Sequence, residues 1–158
     1  MTDFTGTPSG KGRRFAVVAS RFNDEITDKL LAGALDALHK HGVKRDDVDV
    51  VRVPGAWELP AAARRLLSMD RYDALVAVGA VIRGDTPHFD YIAGECARGL
   101  GRASAEYDRP IGFGVLTCDT EEQARERAGG AHGNKGWDAA MAALEMADLF
   151  DKLDETES

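Results

Sequence analysis

The sequence predicts one α/β domain, a three-layer α/β/α sandwich on a four-stranded parallel sheet. Three observations carry this reading. Four short apolar runs, rich in β-branched residues, alternate with segments of helical periodicity. The runs are apolar almost throughout rather than at every second position, which marks strands buried on both faces. The chain of 158 residues shows no linker, internal repeat or second domain, and its length is ample for one core.

Residues 1–13 carry Gly, Ser, Thr and Pro and read as a flexible N-terminal arm; Met1–Arg14 lacks the apolar centre of a signal peptide. The domain proper is expected over 14–153. Phe15–Ala19 is the first strand and stops at Ser20. Asp24 and Glu25 suit the opening turn of a helix, which shows Ile26, Leu30, Ala34 and Leu38 on one face and stops at Gly42. Val48–Val53 is the second strand, closed by Pro54-Gly55. Trp57-Glu58-Leu59-Pro60 opens a helix running to about Met69. Ala74–Ile82 is the third strand, broken at Gly84. Thr86 as N-cap and Pro87 in the first turn then start a helix with Phe89, Ile92, Cys96 and Leu100 at helical spacing, fading near Tyr107. Ile111–Leu116 is the fourth strand, thinned by Gly112 and Gly114 where a backbone or a ligand can approach closely. Thr120-Glu121-Glu122-Gln123 fits a capping box, so a short helix follows to about Ala128. Residues 129–136 read as a loop, Trp137–Leu153 as an amphipathic helix, and 154–158 as a disordered acidic tail. This alternation is the flavodoxin-like arrangement.

A formal net charge of −7 argues against nucleic acid or an anionic membrane as partner. Cys96 and Cys118 stand at no metal-ligand spacing, so a reduced, cytoplasmic protein is expected. No apolar run approaches the roughly 20 residues of a membrane helix.

Open parallel sheets bind ligands beyond the carboxyl ends of their strands. The residues found there are Phe22 after the first strand, Ala56, Trp57 and Glu58 after the second, and Ala80, Val81, Ile82, Asp85, Thr86 and His88 around the end of the third. The fourth strand adds Phe113. The start of the third helix offers free N–H groups and the positive end of a dipole, which together suit an anion. A positive imidazolium is disfavoured in that turn, so His88 is expected as a neutral proton carrier. The set suits a flat heterocycle on the aromatic side and a small phosphate on the helix side. Taken singly, each residue has a plainer reading. Phe22 can be a stray exposed apolar residue, Trp57 a staple between its helix and the sheet, and Phe113 part of the core. Thr86-Pro87 can be an ordinary helix start, His88 a surface histidine, and Arg127 and Lys135 solvated charges. Convergence at one edge is what points to a site.

Several blocks in series are recognisable: Phe22-Asn23-Asp24, Pro54–Pro60, Gly79–Gly84 with Thr86–Tyr91, Phe113–Thr117, Glu122-Gln123-Ala124, Arg127-Ala128-Gly129 and Gly133–Gly136. Together, from about Arg14 to Leu149, they resemble the 6,7-dimethyl-8-ribityllumazine synthase family. The resemblance implies the penultimate step of riboflavin biosynthesis. In that step 5-amino-6-(D-ribitylamino)uracil condenses with 3,4-dihydroxy-2-butanone 4-phosphate, with release of phosphate and water and without a metal or organic cofactor. It also implies roles. Phe22 stacks on the pyrimidine, Ala56, Trp57 and Glu58 hold the ring and ribityl chain, and Ala80, Val81 and Ile82 line the ring edge. Asp85 and Thr86 receive the phosphate with Arg127, His88 moves protons, Phe113 covers the ring, and Lys135 closes the site. Two positions depart from the pattern: Trp57 stands where residues of varied type occur, and Asp85 puts a carboxylate where small residues are common.

The resemblance further implies self-association, with the later residues donated by a neighbour: a homopentamer, extended in some members to an icosahedral shell of roughly 60 chains. The connection over 129–136 resembles that of shell formers, while Pro8 in the arm counts against an added strand. Riboflavin synthase is a candidate partner. A non-catalytic flavin-binding relative is disfavoured because His88, Arg127 and Lys135 are all present. A flavodoxin or a receiver domain is disfavoured because the first strand ends in Ala19-Ser20 and the third in Ile82-Arg83, without a phosphate loop or a phosphorylatable Asp.

Overall fold

The computed structural model describes residues 1–156 and shows the expected alternation of strands and helices. The sheet consists of β1 (Phe15–Ser20), β2 (Val48–Val53), β3 (Ala74–Ile82) and β4 (Ile111–Cys118). All four run parallel in the order β2-β1-β3-β4. The two central strands are buried over their whole length, save the half-buried Ile82, which is why they read as unbroken apolar runs. Side chains alternate between two cores. Phe15, Val17, Val76 and Val78 face α1 (Asp24–Lys40), α4 (Glu121–Glu126) and α5 (Lys135–Glu155); Ala16, Val18, Leu75 and Ala77 face α2 (Leu59–Ser68) and α3 (His88–Tyr107). This is the three-layer, flavodoxin-like sandwich. No helix among the described residues is long and apolar enough to cross a membrane.

On β4 the glycines admit a backbone. A Cβ on Gly112 would overlap the carbonyl oxygen of Ala139, and one on Gly114 would lie 3.1 Å from the Ala139 methyl. Helix α5 therefore packs directly on the strand. The capping box at Thr120 and Gln123 is present: the Thr120 hydroxyl accepts from the Gln123 N–H at 3.1 Å.

Four expectations need correction. First, helix α3 begins at His88, with Pro87 at the N-cap position; Thr86 stands one residue further out, and its hydroxyl reaches the His88 N–H at 3.4 Å. Second, residues 129–136 are not a plain loop. β5 (Ala128–Gly130) and β6 (Gly133–Asn134) pair as a small antiparallel hairpin. Asn134 then caps α5, accepting from the Trp137 N–H at 3.1 Å while donating to the Lys29 carbonyl at 3.0 Å, so the helix starts at Lys135.

Third, the segment 1–13 has no helix or strand, yet its second half is seated rather than free. The Thr7 N–H and hydroxyl donate to one oxygen of Asp148 at 2.7 and 3.1 Å, and Arg13 donates to the other at 3.0 Å. The Gly10 N–H donates to the His41 carbonyl at 2.7 Å. Gly6 is required here because any Cβ would overlap the Glu145 carbonyl oxygen. The Thr7 N–H first, and next the Lys152 ammonium 2.9 Å from the same oxygen, hold the Asp148 carboxyl down to about 2. Fourth, of the expected acidic tail, Asp154 and Glu155 belong to the last turn of α5 and Thr156 is its C-cap; 157–158 lie outside the described residues.

Candidate active site

A cleft of about 470 Å³ opens at the carboxyl ends of β1, β2 and β3, within the range of small-molecule sites. Phe22 forms one wall. Its loop is tied to the end of β2, where the Arg21 N–H donates to the Val53 carbonyl at 2.8 Å and the Phe22 N–H to the Pro54 carbonyl at 3.0 Å. Asn23, with φ 62°, then turns the chain into α1. Ala56, Trp57 and Glu58 form a 3₁₀ turn that makes the second wall, and Ala80, Val81 and Ile82 make the floor. Phe22 is 69% exposed and Trp57 57%. Neither is core, and Trp57 does not staple its helix to the sheet. Both flank an apolar space that a flat ring fits.

The far wall is the start of α3. Gly84, Thr86, His88, Phe89 and Ile92 line it. A 20-residue helix directs its N-terminus to the mouth of the cleft, which favours an anion there. The His88 ring makes no hydrogen bond, ion pair or ring-stacking contact with another described residue, so its nitrogens are free to meet a ligand. Asp85 is exposed and stands outside the lining; its carboxylate does not enter the cleft. In sequence Gly84 reads only as a strand break, and Phe89 and Ile92 only as the apolar stripe of a helix; the structure puts all three in the lining.

Phe113, Arg127 and Lys135 lie elsewhere. They share a second hollow of about 530 Å³ along β4 with Thr117, Cys118, Gln123 and His132, and no residue lines both hollows. Phe113 is 40% exposed at the edge of the sheet, not core. It pairs with Ala77, three residues before Ala80, so it sits about 10 Å down the strand from the floor of the cleft. Arg127 donates to the Gln123 carbonyl at 3.0 Å and keeps the rest of its guanidinium exposed. Burial raises the Cys118 thiol above its ordinary range, with Arg127 opposing the shift. Burial pushes the Cys96 thiol up to about 11, so it is inert at neutral pH. Among the described residues, no three His, Cys, Asp or Glu side chains stand together as a metal-binding group.

Comparison with known proteins places these two hollows in context. A family profile for 6,7-dimethyl-8-ribityllumazine synthase matches residues 12–151. A protein of Gemmatimonas aurantiaca carrying that name is 64% identical over 152 residues, covering 96% of this chain and 93% of the relative. Another of the same name from Aquifex aeolicus is 52% identical over 153 residues, covering 97% of this chain and 99% of the relative. With the fold intact and the match running through every element, the chain belongs to the 6,7-dimethyl-8-ribityllumazine synthase family of enzymes.

Proposed function

We propose that the protein condenses 5-amino-6-(D-ribitylamino)uracil with 3,4-dihydroxy-2-butanone 4-phosphate, giving 6,7-dimethyl-8-ribityllumazine, phosphate and water, in the penultimate step of riboflavin biosynthesis. One observation carries the reading. An apolar cleft walled by Phe22 and Trp57, with Glu58 beside them, shares its mouth with a helix N-terminus and His88. The pyrimidine lies between the aromatic walls, where Glu58 and the main chain of Ala80–Ile82 read its polar edges. The phosphate lies at Thr86 and the first N–H groups of α3, with the Asp85 side chain turned to solvent.

The chemistry follows from that placement. The arylamine attacks the ketone and water leaves, so a proton must be taken from nitrogen and given to oxygen. His88 is the nearest group able to do both. As phosphate departs, negative charge grows on its oxygens, and fixed N–H donors with a cation stabilise it. Holding two reactants in register supplies much of the remainder, about 7–11 kcal/mol in well-oriented systems.

The cation is Arg127, and it stands in the other hollow with Phe113 and Lys135. The complete site is therefore assembled from two copies: the cleft of one chain closed by Phe113, Arg127 and Lys135 of its neighbour. A cyclic homopentamer is the active unit. Mixing the two substrates with the enzyme tests the reaction by the appearance of the fluorescent lumazine. The particle mass in solution tests the shared site: a monomer with full activity excludes it. A mass near that of roughly 60 chains would place the protein among the shell formers.

A further inference from the structure

The segment that would take the phosphate is lightly held. Gly84 has open space where a side chain would be, and the Asp85 side chain makes no hydrogen bond or ion pair with another described residue. Within the segment, the Thr86 hydroxyl accepts from the His88 N–H at 3.4 Å, a long contact, and the Pro87 carbonyl accepts from the Asp90 N–H at 3.0 Å. Yet an anion site needs its donors fixed before the anion arrives.

Arg83, which none of the roles above uses, supplies the anchor. Its Nε donates to Asp119 Oδ1 at 2.9 Å, and its Nη2 lies 3.5 Å from Asp90 Oδ1. Its guanidinium carbon stands 4.4 Å from the ring centroid of Phe89. Its own N–H donates to the Cys118 carbonyl at 2.8 Å. One side chain thus joins the end of β4 to two consecutive residues of the first turn of α3, on either side of which lie the cleft and the phosphate segment.

We infer that Arg83 is the positioning residue of the phosphate segment: it clips the first turn of α3 to Asp119 and so aims the donors around Thr86 and His88 at the anion. The inference rests on the reading of α3 as the phosphate end of the cleft. A planar fork is needed for this task. It engages two carboxylates while lying over an aromatic ring, which an ammonium cannot do in the same geometry. Because Arg83 and both carboxylates are substantially exposed, their pairing adds little to global stability. Its consequence is orientation.

The test compares Arg83→Gln, Arg83→Lys and Asp119→Asn in the intact assembly. Two readouts are used: titration with inorganic phosphate, and steady-state kinetics with each substrate varied in turn. In Arg83→Gln, phosphate binding should weaken and the KM for the phosphate substrate should rise about 10- to 100-fold, the scale of a small misplacement. The KM for the pyrimidine and the melting temperature should stay near those of the parent. Asp119→Asn should move the same two quantities in the same direction, and Arg83→Lys should recover only part of the loss. Unchanged phosphate affinity in Arg83→Gln overturns the proposal, and so does a parallel rise of both KM values, which marks a purely structural role. If the parent enzyme forms no lumazine yet binds phosphate, the reaction assignment fails and the phosphate titration still decides on Arg83. A parent that binds no phosphate overturns the proposal itself.

Discussion

The two hollows of this molecule are built on opposite plans. The cleft at the ends of β1, β2 and β3 is walled by three loops: hydrogen bonds tie the first two to each other, the third is tied at Arg83 to the end of β4, and the apolar floor is the end of a buried strand. The hollow along β4 is an edge surface. Its aromatic residue stands exposed on β4, and an arginine and a lysine line the same hollow. The first has a helix N-terminus for an anion but no arginine or lysine among its described lining residues; the second has both along an open strand edge. Each lacks what the other has. The contrast is what the proposed shared site rests on: the groups assigned to the chemistry are divided between two surfaces of one chain. It also explains why β4 is solid on one face and open on the other.

The comparison is broken most severely at His88. Its removal should leave both hollows intact and lower kcat by roughly 10- to 10⁴-fold, the range for loss of a general acid–base. Single-turnover measurements check it, and an unchanged kcat would remove the proton-transfer role.

The two faces of β4 give the next test. Gly112→Ala drives a methyl group into the Ala139 carbonyl and should destabilise the fold by about 3 kcal/mol. Phe113→Ala, at the next residue of the strand and on its open side, should change the denaturation midpoint little. Its cost should appear in the pyrimidine KM and in assembly. Urea denaturation of both variants, beside kinetics of the second, separates a packed face from a recognition face. Equal destabilisation would show that Phe113 is core after all.

Arg127 sharpens the division of labour between substrates. Arg127→Ala should raise the KM for the phosphate substrate by about tenfold or more, as loss of a charge-assisted contact does, and leave pyrimidine-analogue affinity nearly unchanged. Mixing Arg127→Ala with His88→Ala chains should also restore some activity, because a mixed ring contains sites with both residues. Failure of that complementation would argue against a shared site.

The smallest effect concerns the arm, remote from both hollows. The Asp148 carboxyl is held at about 2 in the folded protein, below the roughly 3.9 of an unfolded aspartate. The arm's seat is therefore fully present above about pH 4 and weakens as pH falls through about 2. Amide exchange at Thr7 and Gly10, followed from pH 5 down to pH 2, should accelerate relative to that of α5 after correction for intrinsic rates. Asp148→Asn should abolish the pH dependence and loosen the arm throughout.

Much of this was legible in the chain. The strands β1, β2 and β3 end where apolar runs meet Ser20, Pro54 and Gly84, and the cleft residues Phe22, Trp57, Glu58 and His88 follow those ends directly in sequence. Burial on both faces writes itself as an unbroken apolar run, and capping writes itself as Thr120 and Gln123, because each depends on residues a few positions apart. The hairpin over 128–134 was not legible, since Gly129, Gly130 and Gly133 carry no alternation to mark a strand. Nor was the seat of the arm, which depends on Asp148 meeting Thr7 across 141 residues of chain.

What the sequence by itself determined is thus the order of elements, the two-sided core and the set of groups available for chemistry. What only the tertiary structure decided is which of those groups face one space. Phe113 and Ala80 lie on neighbouring strands, and nothing local says that the register pairs Phe113 with Ala77 instead. That shift of three residues, with the placing of β4 at the sheet's edge, separates Phe113, Arg127 and Lys135 from the cleft. Periodicity records how deeply a residue is buried because burial acts on each element separately. Register and strand order come from packing the elements together, so distances between their ends appear only in the folded chain.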